Sequence, residues 1–129
     1  KNIVTRKIAF EKYSPKVISL IFKSSSISNY AKISERGVII FGNTVVKSFA
    51  NIEKNVVINS GCIIGHHVLI KKNSVISLGV IVGGKTTIEE EVFIGMGSRI
   101  FQGLTIGRGS IIGAGVIVRK SLPPNSRVL

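Results

Sequence analysis

The 129 residues leave room for one domain, and 18 basic against 6 acidic residues give a net charge of +12, with no aspartate anywhere. That charge favours anionic partners, whether nucleic acid, acidic lipid or phosphorylated small molecules. A hydrophobic content of 44% excludes a disordered chain, and no apolar run approaches the roughly 20 residues of a membrane span.

In chain order, residues 1–20 carry no repeat, and Thr5 to Tyr13 reads as one short helix. The chain opens at Lys1 rather than Met, so residues 1–20 are expected to be a short helix or the tail of a preceding domain. From Ile21 a period of six begins, with Ile27, Ile33, Ile39 and Val45. After one extra residue it continues from Ile52 through Ile58, Ile64, Ile70, Ile76, Val82, Ile88, Ile94, Ile100, Ile106 and Ile112 to Val118. Four residues after each anchor stands a second small or aliphatic residue, such as Val56, Cys62, Val68 or Ser74. The coil is expected over residues 21–122, with Pro123 and Pro124 stopping it and residues 123–129 forming a trimmed C-terminal extension.

A period of six suits neither an α-helix nor a hairpin. It suits a parallel β-solenoid, in which short strands joined by tight corners stack coil on coil. Three hexapeptides make a triangular coil of 18 residues, so residues 18 apart should lie one strand spacing, about 4.8 Å, apart. Columns at that spacing share chemistry. Gly61, Gly79, Gly97 and Gly115 form one, as a corner with positive φ requires. Asn55, Asn73, Glu91 and Gly109 form a second corner, and stacked isoleucines fill the interior. The lone Cys62 rules out an internal disulfide, fits a reducing compartment and reads as packing.

The repeats IGHHVL, IGMGSR, IGRGSI and IGAGVI, with the GH pair, a glycine one coil later and an IGAG ending, resemble the hexapeptide-repeat acyltransferases. Within these, residues 22–129 resemble the NeuD- and PglD-like sialic-acid O-acetyltransferases and UDP-amino-sugar N-acetyltransferases. The resemblance implies an all-β, left-handed parallel β-helix; parallel crossovers otherwise run right-handed. It implies acetyl-CoA as co-substrate, no metal, a homotrimer, and a sugar acceptor acylated on an amino or hydroxyl group. Cytoplasmic work on a nucleotide-linked amino sugar, a sialic acid or a polysaccharide precursor would follow. Family members usually carry an N-terminal nucleotide-sugar-binding domain, and none is visible in these residues.

His66 is the candidate general base, since imidazole titrates near neutrality and can take a proton from an attacking amine or hydroxyl. The resemblance gives the histidine of this GH motif that role. Column arithmetic stacks His66 on Gly84 and then Gln102, which leaves a gap for a thioester or acceptor. The family commonly has an acidic residue where His67 stands, and on extended backbone His67 would point away from His66. Asn59 is a candidate to orient a ring. Carried over by resemblance, Val75, Gly84, Met96 and Ala114 contact acetyl-CoA, while Arg108, Arg119, Lys120 and Arg127 offer charge for its phosphates. Two adjacent histidines fall short of the three protein ligands of an open zinc site, and Glu89, Glu90 and Glu91 read as a solvated turn. The competing function is a non-catalytic solenoid that binds an anionic partner. In its favour, eight basic and two acidic residues fall within the first 36. No nucleic-acid-binding motif accompanies them, and aromatics are only 6%.

Overall fold

The computed structural model describes residues 2–129; Lys1, the first residue of the expected 1–20 segment, lies outside them. One helix, α1 (Asn2–Tyr13), and one 3-10 turn (Ser14–Lys16) precede 18 strands of two residues each. The strands stack into three parallel sheets that form the faces of a triangular prism, a left-handed β-helix. Along the chain each strand belongs to the next face, so the first face holds Val57–Ile58, Val75–Ile76 and Phe93–Ile94, the second Ile63–Ile64 and Ile81–Val82, and the third Leu69–Ile70 and Thr87–Ile88.

Register follows the columns: Val57 pairs with Val75 and Val75 with Phe93, each 18 residues on. The second residue of each strand points inward, and Ile40, Ile52, Ile58, Ile64, Ile70, Ile76, Ile88, Ile94, Ile106 and Ile112 are all 0% exposed. The extended backbone suits these β-branched side chains, and each buried one contributes roughly 1.5–3 kcal/mol. The other inward column carries hydroxyls and the thiol, which find partners inside the coil. Thr44, Cys62, Ser74, Thr86 and Ser98 each donate to the carbonyl 15 residues ahead, at 2.8–3.0 Å. Among the described residues no buried side-chain nitrogen or oxygen is left without a partner.

Three edges join the faces, each with positive φ. Asn43, Gly61, Gly79, Gly97 and Gly115 make the first edge, between first and second faces. Phe49, His67, Lys85 and Gly103 make the second edge, and Gly37, Asn55, Asn73, Glu91, Gly109 and Asn125 the third. Two expectations need correction. The extra residue lies between Ile33 and Ile40, not between Val45 and Ile52: Leu20, Ser26 and Lys32 pair 19 residues on, whereas Ile39 pairs 18 on with Val57. The inward residues are therefore Ile40 and Val46, and Ile39 and Val45 face out. Nor do Pro123 and Pro124 stop the coil. They bend through the third edge at Asn125, and Arg127–Val128 then pairs with Ile111–Ile112.

The helix α1 lies along the third edge. Phe10 is 6% exposed and sits over Gly37, where a Cβ would come within 2.8 Å of its ring. Arg6 donates to Asn55 Oδ1 at 2.8 Å, Asn55 donates to Asn73 Oδ1 at 2.8 Å, and Lys7 pairs with Glu91 at 2.7 Å. No helix among the described residues is long and apolar enough to cross a membrane.

Candidate functional site

The second edge carries His66 because the strand Ile63–Ile64 ends two residues before it. Gly65 must follow that strand, since a Cβ there would come within 2.7 Å of the Gly84 amide on the next coil. The corner is tied to its neighbours by main chain. His67 N–H donates to the Ser48 carbonyl at 3.1 Å, and Lys85 N–H to the His66 carbonyl at 2.8 Å.

The imidazole of His66 lies flat across Gly84. A Cβ on Gly84 would meet Nε2 at 2.6 Å and Cδ2 and Cε1 at 2.9 Å. The ring therefore fills the gap that stacking on glycine leaves, rather than leaving it for a ligand. At this edge a cleft of about 430 Å³ is lined by His66, Gly84, Lys85, Gln102 and Gly103. On the other side, His66 Nδ1 lies 3.1 Å from His67 Nδ1. This corrects the divergence expected of the two histidines. They stand on a corner, with φ of 55° at His67, and not on extended backbone. His67 also stacks on Phe49 at 5.0 Å, and Phe49 on Tyr30 at 5.6 Å. Asn59 does not reach either ring; its Oδ1 accepts from the Ser60 amide at 2.9 Å.

The residues carried over for acetyl-CoA do not form one group in a single chain. Gly84 is at the His66 ring. Met96 and Ala114 occupy successive coils of the first edge, where Gly115 N–H donates to the Met96 carbonyl at 2.8 Å. Val75 faces outward on the first face, between Val57 and Phe93. The four cations also divide. Arg119 lies over the Phe101 ring at 5.5 Å, and Lys120 follows it toward the second edge. Arg108 faces Glu90 and Glu91 at 3.7 and 3.6 Å, and Arg127 donates to the Gly109 carbonyl at 3.1 Å, both at the third edge.

Glu89, Glu90 and Glu91 are engaged rather than merely solvated, with Lys71 on Glu89 at 2.8 Å and Lys72 near Glu90 at 3.9 Å. The hydrogen bond from Lys7 holds Glu91 below the usual carboxylate range, with Arg108 adding to it. Burial pushes the Cys62 thiol up. No group of three or more metal-ligating side chains occurs among the described residues. The sequence reading missed Lys85 and the aromatic neighbours of His67. The signal available was their shared column 18 residues apart, with Phe49, His67, Lys85 and Gly103 on one edge.

A family model described as the hexapeptide repeat of succinyl-transferase matches residues 85–120. A search of the curated proteins gave no match. Among solved structures, the acetyltransferase domain of PglB from Neisseria gonorrhoeae FA1090 superposes with a TM-score of 0.91 at 28% identity, covering 95% of this chain and 60% of that one. The same domain in complex with acetyl coenzyme A gives 0.83 at 28% identity, over 93% and 57%. A mutant perosamine N-acetyltransferase from Caulobacter crescentus, in complex with CoA and GDP-perosamine, gives 0.84 at 25% identity, over 94% and 56%. The chain thus spans about 60% of the length of the first of these structures, and less of the other two. Repeat, fold and neighbours together make the chain similar to the hexapeptide-repeat acyltransferases, and among solved structures to sugar acetyltransferases.

Proposed function

We propose that this chain transfers the acetyl group of acetyl-CoA to an amino or hydroxyl group of a sugar, with His66 as general base. The observation that carries the proposal is the imidazole lying across Gly84 in the lining of an open cleft, with Nδ1 on His67. Nε2 takes the proton of the acceptor's amine or hydroxyl as its nitrogen or oxygen adds to the thioester carbonyl. The tetrahedral intermediate then collapses, the C–S bond breaks, and the imidazolium returns the proton to the departing CoA thiolate. Every proton is accounted for by one ring, so no metal is required. A nucleotide-linked amino sugar, a sialic acid and a surface-polysaccharide precursor are all acceptors of this type, and the lone cysteine suits a reducing, cytoplasmic setting.

The working form we propose is a homotrimer. Val75, Met96 and Ala114 lie on the first face and first edge, away from the second edge that carries His66 and Gly84, so a site using all five draws on two chains. The outward residues support this packing. The first face presents Leu20, Ile39, Val57, Val75, Phe93, Ile111 and Arg127, and the second Ser26, Val45, Ile63, Ile81, Arg99 and Ile117. The third presents Lys32, Asn51, Leu69, Thr87 and Thr105. Two faces that are largely apolar apart from Ser26, Arg99 and Arg127, and one mainly polar face, suit a threefold assembly in which each prism meets two neighbours.

Light scattering establishes the oligomer, and calorimetric titration of acetyl-CoA then tests the site. The expected result is a trimer that binds about one acetyl-CoA per chain in the micromolar to sub-millimolar range. An intact trimer that binds none overturns the acyltransferase reading in favour of a solenoid that binds an anionic partner.

A further inference from the structure

We infer that Lys85 is a specificity-determining residue, which fixes an anionic group of the acceptor beside His66. The inference rests on the acetyltransferase reading and names the acceptor's charge, a phosphate or a carboxylate on the sugar.

Lys85 lines the same cleft as the His66 ring, together with Gly84, Gln102 and Gly103. Its backbone is fixed to the base, because Lys85 N–H donates to the His66 carbonyl at 2.8 Å. It stands at φ 59°, a conformation that glycine and asparagine supply at most other corners of the prism. A lysine there accepts backbone strain that either of those residues would lessen.

Charge is segregated across the prism. Glu35 and Glu53 lie between the third face and the third edge, Glu89 to Glu91 lie at that edge, and Glu11 lies on the helix packed along it. These are all six acidic residues of the sequence. The cations that pair with them, Lys7, Lys71, Lys72 and Arg108, are also at the third edge. The second edge keeps Lys47, Lys85, Arg119 and Lys120 and no carboxylate. Lys85 is exposed and has no ion pair among the described residues. A cation without a protein partner, in the cleft that holds the base and on an edge of one sign, attracts and orients an anion. Because it adjoins the base rather than the far end of the coil, the anion it meets belongs to the acceptor and not to the CoA phosphates.

The test compares wild type, Lys85→Asn and Lys85→Arg. Asparagine suits the left-handed backbone, so the neutral variant keeps the fold, which a thermal melt verifies. CoA release is followed with glucosamine 1-phosphate against glucosamine, and with N-acetylneuraminate against its methyl ester. The expected result is a preference for the charged member of one pair, which identifies phosphate or carboxylate. Lys85→Asn should remove that preference through a rise of about ten-fold in acceptor KM, and Lys85→Arg should retain it. A preference that survives in Lys85→Asn, or a rise in the KM of acetyl-CoA instead, overturns the assignment. If no acceptor is acetylated, the acetyltransferase reading fails separately. Calorimetric binding of glucosamine 1-phosphate and N-acetylneuraminate then decides. Weakening of either in Lys85→Asn alone sustains the anion site, and equal binding to all three proteins, or none, overturns it.

Discussion

His66 Nδ1 and His67 Nδ1 lie 3.1 Å apart, so one ring carries a proton at that nitrogen and the other a lone pair. If His66 carries it, its Nε2 is left as the acceptor, the tautomer a general base needs. His66→Ala should lower turnover by roughly 10²-fold or more. His67→Phe preserves the stack on Phe49 but removes the nitrogen, and turnover should fall. His67→Glu restores an acceptor for the Nδ1 proton and should recover most of it. Steady-state kcat checks all three, and equal activity of the Phe and Glu variants would remove the orienting role.

Gly84→Ala should separate activity from stability. The three atoms nearest to the added Cβ all belong to the His66 ring, the first at 2.6 Å, and a side chain in an open cleft can swing away. The melting temperature should stay within a few degrees of wild type, while displacement of the base costs on the order of 10²-fold in turnover. Calorimetry and kinetics together check this, and full activity would mean that the ring position is not used.

Gly95→Ala should behave in the opposite way. Its Cβ would press on the next coil's main chain, 2.6 Å from Ala114 N and Gly113 C, and backbone held in a ladder cannot swing aside. Gly61→Ala meets nothing within 4 Å but stands at φ 72°, a cost of roughly 1–2 kcal/mol. Denaturant midpoints should therefore fall further for Gly95→Ala than for Gly61→Ala.

The attachment of α1 should depend on pH. Its hydrogen bond to Lys7 depresses Glu91 from the ordinary 4.5, and the same bond raises Lys7 from 10.5. The Glu91 contribution is present above 4.5 and lost as pH falls through the depressed value. The Lys7 contribution is present below 10.5 and lost as pH rises through the raised one. The exchange protection of the α1 amides, relative to their intrinsic rates, should therefore fall at acidic pH before that of the coils. Glu91→Gln should exchange faster at neutral pH and lose most of that acid response.

Cys62 is 0% exposed, and its thiol donates to the Ser77 carbonyl at 3.0 Å. Burial raises it further from the reactive thiolate. A thiol reagent should label it only at the rate of unfolding, and rapid labelling of the native protein would contradict its place in the core.

The sequence revealed the period, the isoleucine interior and two of the three edges, because those columns repeat one chemistry. Position along the repeat was harder where both strand residues are aliphatic. Ile39–Ile40 and Val45–Val46 read equally well in either phase, which moved the extra residue by two strands. The second edge hid because Phe49, His67, Lys85 and Gly103 share nothing but their conformation. That is why His67 was read on extended backbone and placed away from His66. Pro123 and Pro124 misled because a proline barred from a strand is still admissible in a corner.

Each coil touches only the coil before and after it, so stability behaves as a property of neighbours rather than of the whole. Inward residues of the first coil lack a layer above them; Ile21 is 45% exposed while Ile40 directly beneath is fully covered. Opening should therefore start at the ends and travel inward one turn at a time, like a zipper. The His66 corner, three coils in, would open late, and a fault in a middle coil would split the molecule into two shorter, weaker stacks.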